Sequence, residues 1–461
     1  MKFQIEDLGV IRKAELELGK LTIICGKNNS GKSYITNALF GFLHDWSNFA
    51  PPSKGTSTLD GLYENGSVQI SVNEVQSNRN ELLSGFCDVY QTRIPKLLAG
   101  RKRNFSKTKF RCTVDSSEFG KLEPFSQTFG SYERQLFSIN LDPKTQVISV
   151  DLIGSANVLA SMPRRFVEDL IQDFVRRLSF GSVFPTPLIS SSERTGIATF
   201  RRNLDFMRDH LMKKIADGEK DLDPQEFLSE IQNLFPITIE CNVDFSRSLE
   251  EASTEDSYLF SKFNRHIDFF ESIAGGAYQI DSQGRLYFTP ENMKKRLSMR
   301  ESSSSVRALL DLAFYFKHVI QPGHMLMIDE PELSLHPVNQ RKMARMIARL
   351  VNAGVSVFIT THSDYIIREL NSLIMMSHKH INNSKLLQSE NYTKDELLKP
   401  TDVRLYVAQK DLIQLSSKAR RSRVQTLVEV PLEAEFGMEV SAFDTEIDTI
   451  NRVQDELRWG Y

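Results

Sequence analysis

A short stretch near the start of the chain restricts its fold more than anything else in the sequence. The run Leu21-Thr22-Ile23-Ile24-Cys25 reads as a strand buried on both faces, and it passes without a spacer into Gly26-Lys27-Asn28-Asn29-Ser30-Gly31-Lys32-Ser33. That octet fits G-x-x-x-x-G-K-[ST] at every fixed position. A helical pattern follows, from Lys32 to about His44. Strand, glycine loop and helix in this order make a phosphate cradle. The glycines let backbone N–H groups curl around oxygens, and the helix N-terminus adds partial positive charge. In such a loop Lys32 reaches the β- and γ-phosphates of a nucleotide and the Ser33 hydroxyl ligates Mg²⁺. A chance match in a glycine-bearing turn is the competing reading, and the flanking strand and helix argue against it.

A second chemical element lies far along the chain. Met325-Leu326-Met327-Ile328-Asp329-Glu330 is an apolar strand ending in two carboxylates. In an open α/β sheet the carboxyl ends of the strands form the ligand crevice, so these acids are expected to face the glycine loop. Asp329 is suited to hold Mg²⁺, and Glu330 to polarise an attacking water. Two acids capping a following helix would be the ordinary alternative. Further on, Val355-Ser356-Val357-Phe358-Ile359-Thr360 is another buried-type strand, leading into Thr361-His362-Ser363, with a helical pattern over 339–351 between the two strands. This is a βαβ unit with parallel strands. It sets His362 beside the phosphate crevice, where an imidazole can bond a γ-phosphate oxygen.

The segments Gly26–Ser33, Ile328-Asp329-Glu330-Pro331-Glu332-Leu333-Ser334-Leu335-His336-Pro337 and Thr360-Thr361-His362-Ser363 resemble the Walker A, Walker B plus D-loop, and H-loop of ABC-type ATPases. The nearest branch holds RecF, the SMC-like proteins and the OLD-family ATPases of bacterial defence. The likeness covers residues 1–45 and 270–373. Within it, Ile273–Pro290 is similar to the hairpin that precedes the signature motif, and Pro187–Arg194 to a strand-plus-E-R segment of defence-type members. The family's LSGGQ is absent, and Ser302-Ser303-Ser304-Ser305-Val306-Arg307 stands in its place, ahead of an amphipathic helix carrying Val306, Leu309, Leu310, Ala313 and Phe314. Serine-rich signatures occur in the defence-like members. The resemblance therefore implies that Ser304 and Ser305 grip the γ-phosphate bound to a second subunit; a plain helix cap is the other reading.

The resemblance implies an α/β fold: an ABC-type P-loop head, a mixed sheet flanked by helices, with a mainly helical inserted lobe and a small α/β C-terminal extension. The expected division is residues 1–50 and 271–373 for the head, 51–162 for a mixed insertion, 163–270 for the helical lobe and 374–461 for the extension. Helices are expected over 167–178, 199–215 and 224–234, strands over 278–280, 285–289, 403–407 and 426–430, and an amphipathic helix at the end. Residues 56–160 read as short β-like runs with a basic stretch.

Composition bounds the partners. The chain has 461 residues, 40% hydrophobic and 25% charged, with net charge −2. Nothing global draws it to nucleic acid or membrane. Its four cysteines are scattered, with no apolar run of bilayer-spanning length, which fits a reduced, cytoplasmic setting. Arg101-Lys102-Arg103, Lys107, Lys109 and Arg111, interleaved with Phe105 and Phe110, form a local basic patch, and 418–423 a second; solvated charge is the plainer reading. Residues 374–461 hold no D-x-D pair of the kind a TOPRIM nuclease needs. The expected protein is an ATPase using ATP and Mg²⁺, forming a homodimer or higher homo-oligomer. By resemblance it controls a separate nuclease or toxin in anti-phage defence, as in Septu, some retrons and PARIS. The alternative is a RecF-like repair ATPase binding DNA directly. A transporter subunit is disfavoured by the roughly 290 residues between the two Walker segments.

Overall fold

The computed structural model describes residues 1–49, 60–71, 79–119, 124–131, 134–142, 144–145, 147–154, 163–201, 235–378, 383–415, 420–433, 435, 437–438, 449 and 451–458. The helices expected over 224–234 and most of 199–215 lie outside these residues.

The strands are, in chain order, β1 Lys2–Leu8, β2 Ile11–Glu17, β3 Leu21–Cys25, β4 Ser67–Ser71, β5 Lys109–Thr113, β6 Phe125–Ser131, β7 Arg134–Asp142, β8 Val147–Leu152, β9 Thr186–Ser190, β10 Gly276–Ile280, β11 Leu286–Pro290, β12 His324–Asp329, β13 Ser356–Thr361, β14 Val403–Ile413, β15 Ser422–Val430, β16 Leu432–Glu433 and β17 Gly437–Met438. Nine of them form one mixed sheet in the order β5-β1-β2-β15-β14-β3-β13-β12-β9. The strand β3 is buried at all five positions and pairs in parallel with both β13 and β14. That is why its sequence shows no polar alternation. Its one hydroxyl, on Thr22, is satisfied by the Gly19 N–H at 3.0 Å.

The chain divides into two compact units. The first comprises residues 1–4, 42–93 and 110–185. It contains an antiparallel sheet, β4-β8-β7-β6, whose Phe137, Ile139, Ile148 and Val150 pack on Val167 and Ile171 of the helix Arg164–Phe180. The second comprises residues 5–41, 94–109 and 186–461 and carries every residue of the candidate site. Its core gathers Leu21, Ile23, Leu326, Ile328, Val357 and Ile359 from the central strands with Leu310, Met343, Ile347 and Leu370 from the helices.

Three features differ from the sequence reading or refine it. Arg79–Leu97 is a helix where β-like runs were expected. Thr186–Ser190, within a stretch read as largely helical but where the resemblance at Pro187–Arg194 implied a strand, is β9, parallel to β12. The hairpin of β14 and β15 lies inside the main sheet, between β2 and β3, so the chain after His362 returns to the strand that carries the glycine loop.

Candidate nucleotide site

The glycine loop leaves β3 at Cys25 and enters the helix Lys32–Asp45. Two glycines are obligatory here. Gly26 has φ 147°, and a Cβ on it would lie 2.7 Å from the Ala408 carbonyl oxygen of β14; Gly31 has φ 97°, and its Cβ would meet Ile11 Cδ1 at 2.7 Å. Asn29, at φ 58°, takes the left-handed conformation that asparagine tolerates better than most residues. From β15, Gln425 Nε2 donates to the Ser30 carbonyl at 3.0 Å, so the hairpin braces the loop. Lys32 is buried, and its Nζ donates to the carbonyls of Gly26 at 2.9 Å and Lys27 at 3.0 Å. Burial lowers the Lys32 pKa, while Glu330, Asp329 and Glu332 oppose that fall.

The carboxylates come from the end of β12. Four apolar residues, Met325–Ile328, bury the strand and deliver Asp329 and Glu330 at its carboxyl end. In the pairing of β12 with β13, Asp329 stands opposite Thr360, whose hydroxyl donates to Asp329 Oδ1. Asp329 Oδ2 lies 3.5 Å from the Ser33 hydroxyl, so the structure brings together the two residues expected to hold Mg²⁺. A hydroxyl and a carboxylate oxygen suit that ion, which takes oxygen donors and keeps much of its shell for water and phosphate. Glu330 adopts φ 55°, and its N–H donates to the Thr360 carbonyl at 3.0 Å. Burial raises the Glu330 pKa; His362 opposes the rise, and Asp329 and Glu332 add to it.

His362 lies next to these acids, its Nδ1 3.5 Å from Glu330 Oε1 and 3.3 Å from Glu332 Oε1. Glu332 is buried, and its Oε1 accepts from the Thr361 hydroxyl and the His362 N–H, both at 2.9 Å. Neither Glu332 nor Thr360 was given a role from sequence. Only the register of β12 against β13 reveals that Thr360 braces the aspartate, and only the bonds of Glu332 reveal that it braces the histidine.

Ser304 and Ser305 begin a short helix, Ser304–Ala308, followed by Leu310–Phe314 and a π-helical turn at Tyr315–Val319. Ser303 is the N-cap, accepting from the Val306 N–H at 3.3 Å, and its hydroxyl lies 2.8 Å from that of Ser305. The Ser302 hydroxyl donates to the Ser298 carbonyl, and Tyr278 of β10 donates to the Val306 carbonyl. These bonds keep the segment local; none of them reaches the glycine loop of the same chain.

The basic patch changes character in three dimensions. Lys109 pairs with Glu6 and Arg111 with Asp88, each at 2.7 Å. Phe105 and Phe110 are buried, so they are core residues and not stacking platforms. Arg101, Lys102, Arg103 and Lys107 stay exposed. In the second cluster, residues 418 and 419 lie outside the described residues, and Arg420, Arg421 and Arg423 are exposed. Among the described residues no helix is long and apolar enough to cross a membrane.

A mixed sheet with a glycine phosphate loop after β3, and a carboxylate pair after the parallel neighbour of β13, defines an ABC-type P-loop ATPase fold. The chain belongs to the AAA_15 family, the AAA ATPase domain, whose sequence profile matches residues 1–145 and 184–367, and it is an ATPase. No curated protein sequence matches it. Among solved structures it is similar to an SMC head bound to the C-winged helix domain of ScpA, at 15% identity over 94% of this chain and 97% of that one, with a TM-score of 0.37. It is also similar to an Smc head with an extended coiled coil bound to the C-terminal domain of ScpA, from Pyrococcus furiosus, at 13% identity over 98% of each chain, TM-score 0.33. The SMC head domain from Thermotoga maritima follows at 12% identity over 93% and 98%, TM-score 0.30. At such scores these likenesses add no weight to the family assignment.

Proposed function

We propose that the chain binds ATP with Mg²⁺ at residues 26–33, hydrolyses it with Glu330 as base, and uses the cycle to control a separate effector. The observation that carries this reading is the meeting of Lys32, Ser33, Asp329, Glu330 and His362 from three parts of the chain. Backbone N–H groups of the loop and the Lys32 ammonium bind the phosphates. Ser33 and Asp329 hold the Mg²⁺, which when bound neutralises phosphate charge and orients the γ-phosphoryl group. Glu330 accepts the proton of the attacking water, and its raised pKa makes it a stronger base than an exposed glutamate. His362, braced by Glu332, bonds the γ-phosphate and positions the water.

Ser304 and Ser305 face the nucleotide of a second subunit, so that ATP closes a homodimer, or a higher homo-oligomer, and hydrolysis reopens it. The effector is a nuclease or toxin encoded separately, in anti-phage defence of the Septu type, a reading that rests on the resemblance of the Walker A, Walker B and H-loop segments. A second reading, direct DNA binding of RecF type, draws on the exposed Arg101, Lys102, Arg103 and Lys107. It requires affinity that falls steeply with salt.

The test combines the pure chain and its neighbour gene product. The chain alone should release phosphate from ATP and cleave neither DNA nor RNA, and cleavage should appear only with the partner. Metal-dependent cleavage by the chain alone, lost in tail variants but kept in Lys32→Ala, would overturn the outside-effector reading.

A further inference from the structure

Arg194 follows β9 and is 1% exposed. A guanidinium so deeply buried would ordinarily meet a carboxylate, because an unpaired charge away from water is costly. Here its donors go to main-chain carbonyls instead. Nε donates to Ala308 at 2.8 Å, Nη1 to Ser191 at 2.8 Å and to Asp329 at 2.6 Å, and Nη2 to Glu330 at 2.6 Å. Two of the four carbonyls therefore belong to the carboxylate pair itself, and a third to the short helix that the serines begin. The turn carrying the arginine is fixed in its own right. Asn242 Oδ1 accepts from the Ser191 N–H and hydroxyl, both at 2.9 Å, and Asn242 Nδ2 donates to the buried Asp311 at 2.6 Å.

We propose that Arg194 is a positioning residue for hydrolysis: its planar fork fixes the backbone of Asp329 and Glu330 relative to the Ser304–Ala308 helix. The geometry explains why this position suits arginine. A guanidinium presents N–H donors in a rigid plane and can hold three segments at once, whereas a lysine ammonium is a point donor on a flexible stem. Glu330 depends on such a hold more than its neighbours, since φ 55° is unfavourable for a glutamate and needs support from its surroundings. With its N–H on Thr360 and its carbonyl on Arg194, the peptide units on both sides of Glu330 are pinned, and with them the direction of its carboxylate. Arg194 has no bond to the glycine loop among its four, so it acts on the catalytic step and not on nucleotide capture.

This inference rests on the assignment of Glu330 as base. The test compares ATP turnover and nucleotide affinity in wild type, Arg194→Lys and Asn242→Ala, with Glu330→Gln in parallel. In Arg194→Lys, kcat should fall about 10- to 100-fold, in line with an ångström-scale misplacement of a reacting group, while KM and nucleotide Kd stay within about twofold. Asn242→Ala, which frees the turn without touching Arg194, should show the same split in milder form and decides the matter if Arg194→Lys does not fold. Methylguanidinium added to Arg194→Ala should restore part of kcat, and methylammonium should not. Unchanged kcat in the first two variants, or kcat and affinity falling together, overturns the proposal. Wild-type turnover in Glu330→Gln instead overturns the assignment on which it rests.

Discussion

Glu330→Gln isolates the chemical step from everything that holds the site. The amide has the shape of the carboxyl. The Glu330 N–H still bonds Thr360, and its carbonyl still accepts from Arg194. Only the proton acceptor is lost. A positioned general base contributes about 10²- to 10⁴-fold, or roughly 3–5 kcal/mol of barrier at about 1.4 kcal/mol per tenfold, so turnover should fall by that factor with ATP affinity kept. The pH profile gives a second reading. Burial and the neighbouring Asp329 and Glu332 raise the Glu330 pKa, so wild-type kcat should decline on the acid side at a pH above the ordinary glutamate range, and Gln should remove that limb. Stability follows with the opposite sign from a salt-bridged acid. A raised folded-state pKa means that the folded chain binds the proton more tightly. That stability is present below the unfolded pKa and is lost as pH rises through the folded one. The Gln variant should therefore melt at or above the wild-type temperature at pH 7–8, with the gap closing toward pH 4. Phosphate release measures the rate, fluorescent-nucleotide titration the affinity and calorimetry the melting. Turnover within about threefold of wild type would place the base elsewhere.

Lys32→Ala should abolish nucleotide binding, because it removes the buried ammonium that the loop carbonyls hold; an unaltered ATP affinity in the same titration would contradict the phosphate-loop assignment. Glu396→Ala should destabilise the fold by about 3–5 kcal/mol in urea denaturation, since it leaves Arg345 and Arg349 without the fully buried carboxylate that each meets at 3.0 Å or less. A loss below about 1 kcal/mol would mean that the pair is screened as at a surface.

The sequence disclosed what is local. The glycine loop, the apolar runs of β3, β12 and β13 and the helix between the latter two were all readable, because each is written in consecutive residues or a short period. What it concealed depends on distant partners. The resemblance at Pro187–Arg194 implied a strand, but β9 is only five residues long and its partner β12 lies more than a hundred residues on, so its place in the main sheet was not readable. The helix Arg79–Leu97 buries Leu83, Phe86, Cys87, Tyr90 and Ile94 at helical spacing, but Gly85 and Pro95 inside it read as breakers and masked that period. Phe105 and Phe110 looked like aromatic company for surface cations, but Phe105 packs on Tyr34 and Phe110 on Tyr90. Thr360 became visible as a bracing residue only when strand register set it opposite Asp329, and Glu332 only through its bonds to the Thr361 hydroxyl and the His362 N–H.

If Ser304 and Ser305 complete the nucleotide site of a second subunit, each active site needs two chains, and one mixing measurement tests this. A subunit with Ser304→Arg and Ser305→Arg keeps its glycine loop, and a Lys32→Ala subunit keeps its serines; each alone should be inactive in phosphate release. Mixed in equal amounts, half of the dimers should be hybrids with one of their two sites intact, restoring up to about a quarter of the wild-type rate. If hybrid dimers form and phosphate release stays at background, or if the double-arginine variant turns over normally by itself, the serines are a helix cap and the shared site does not exist.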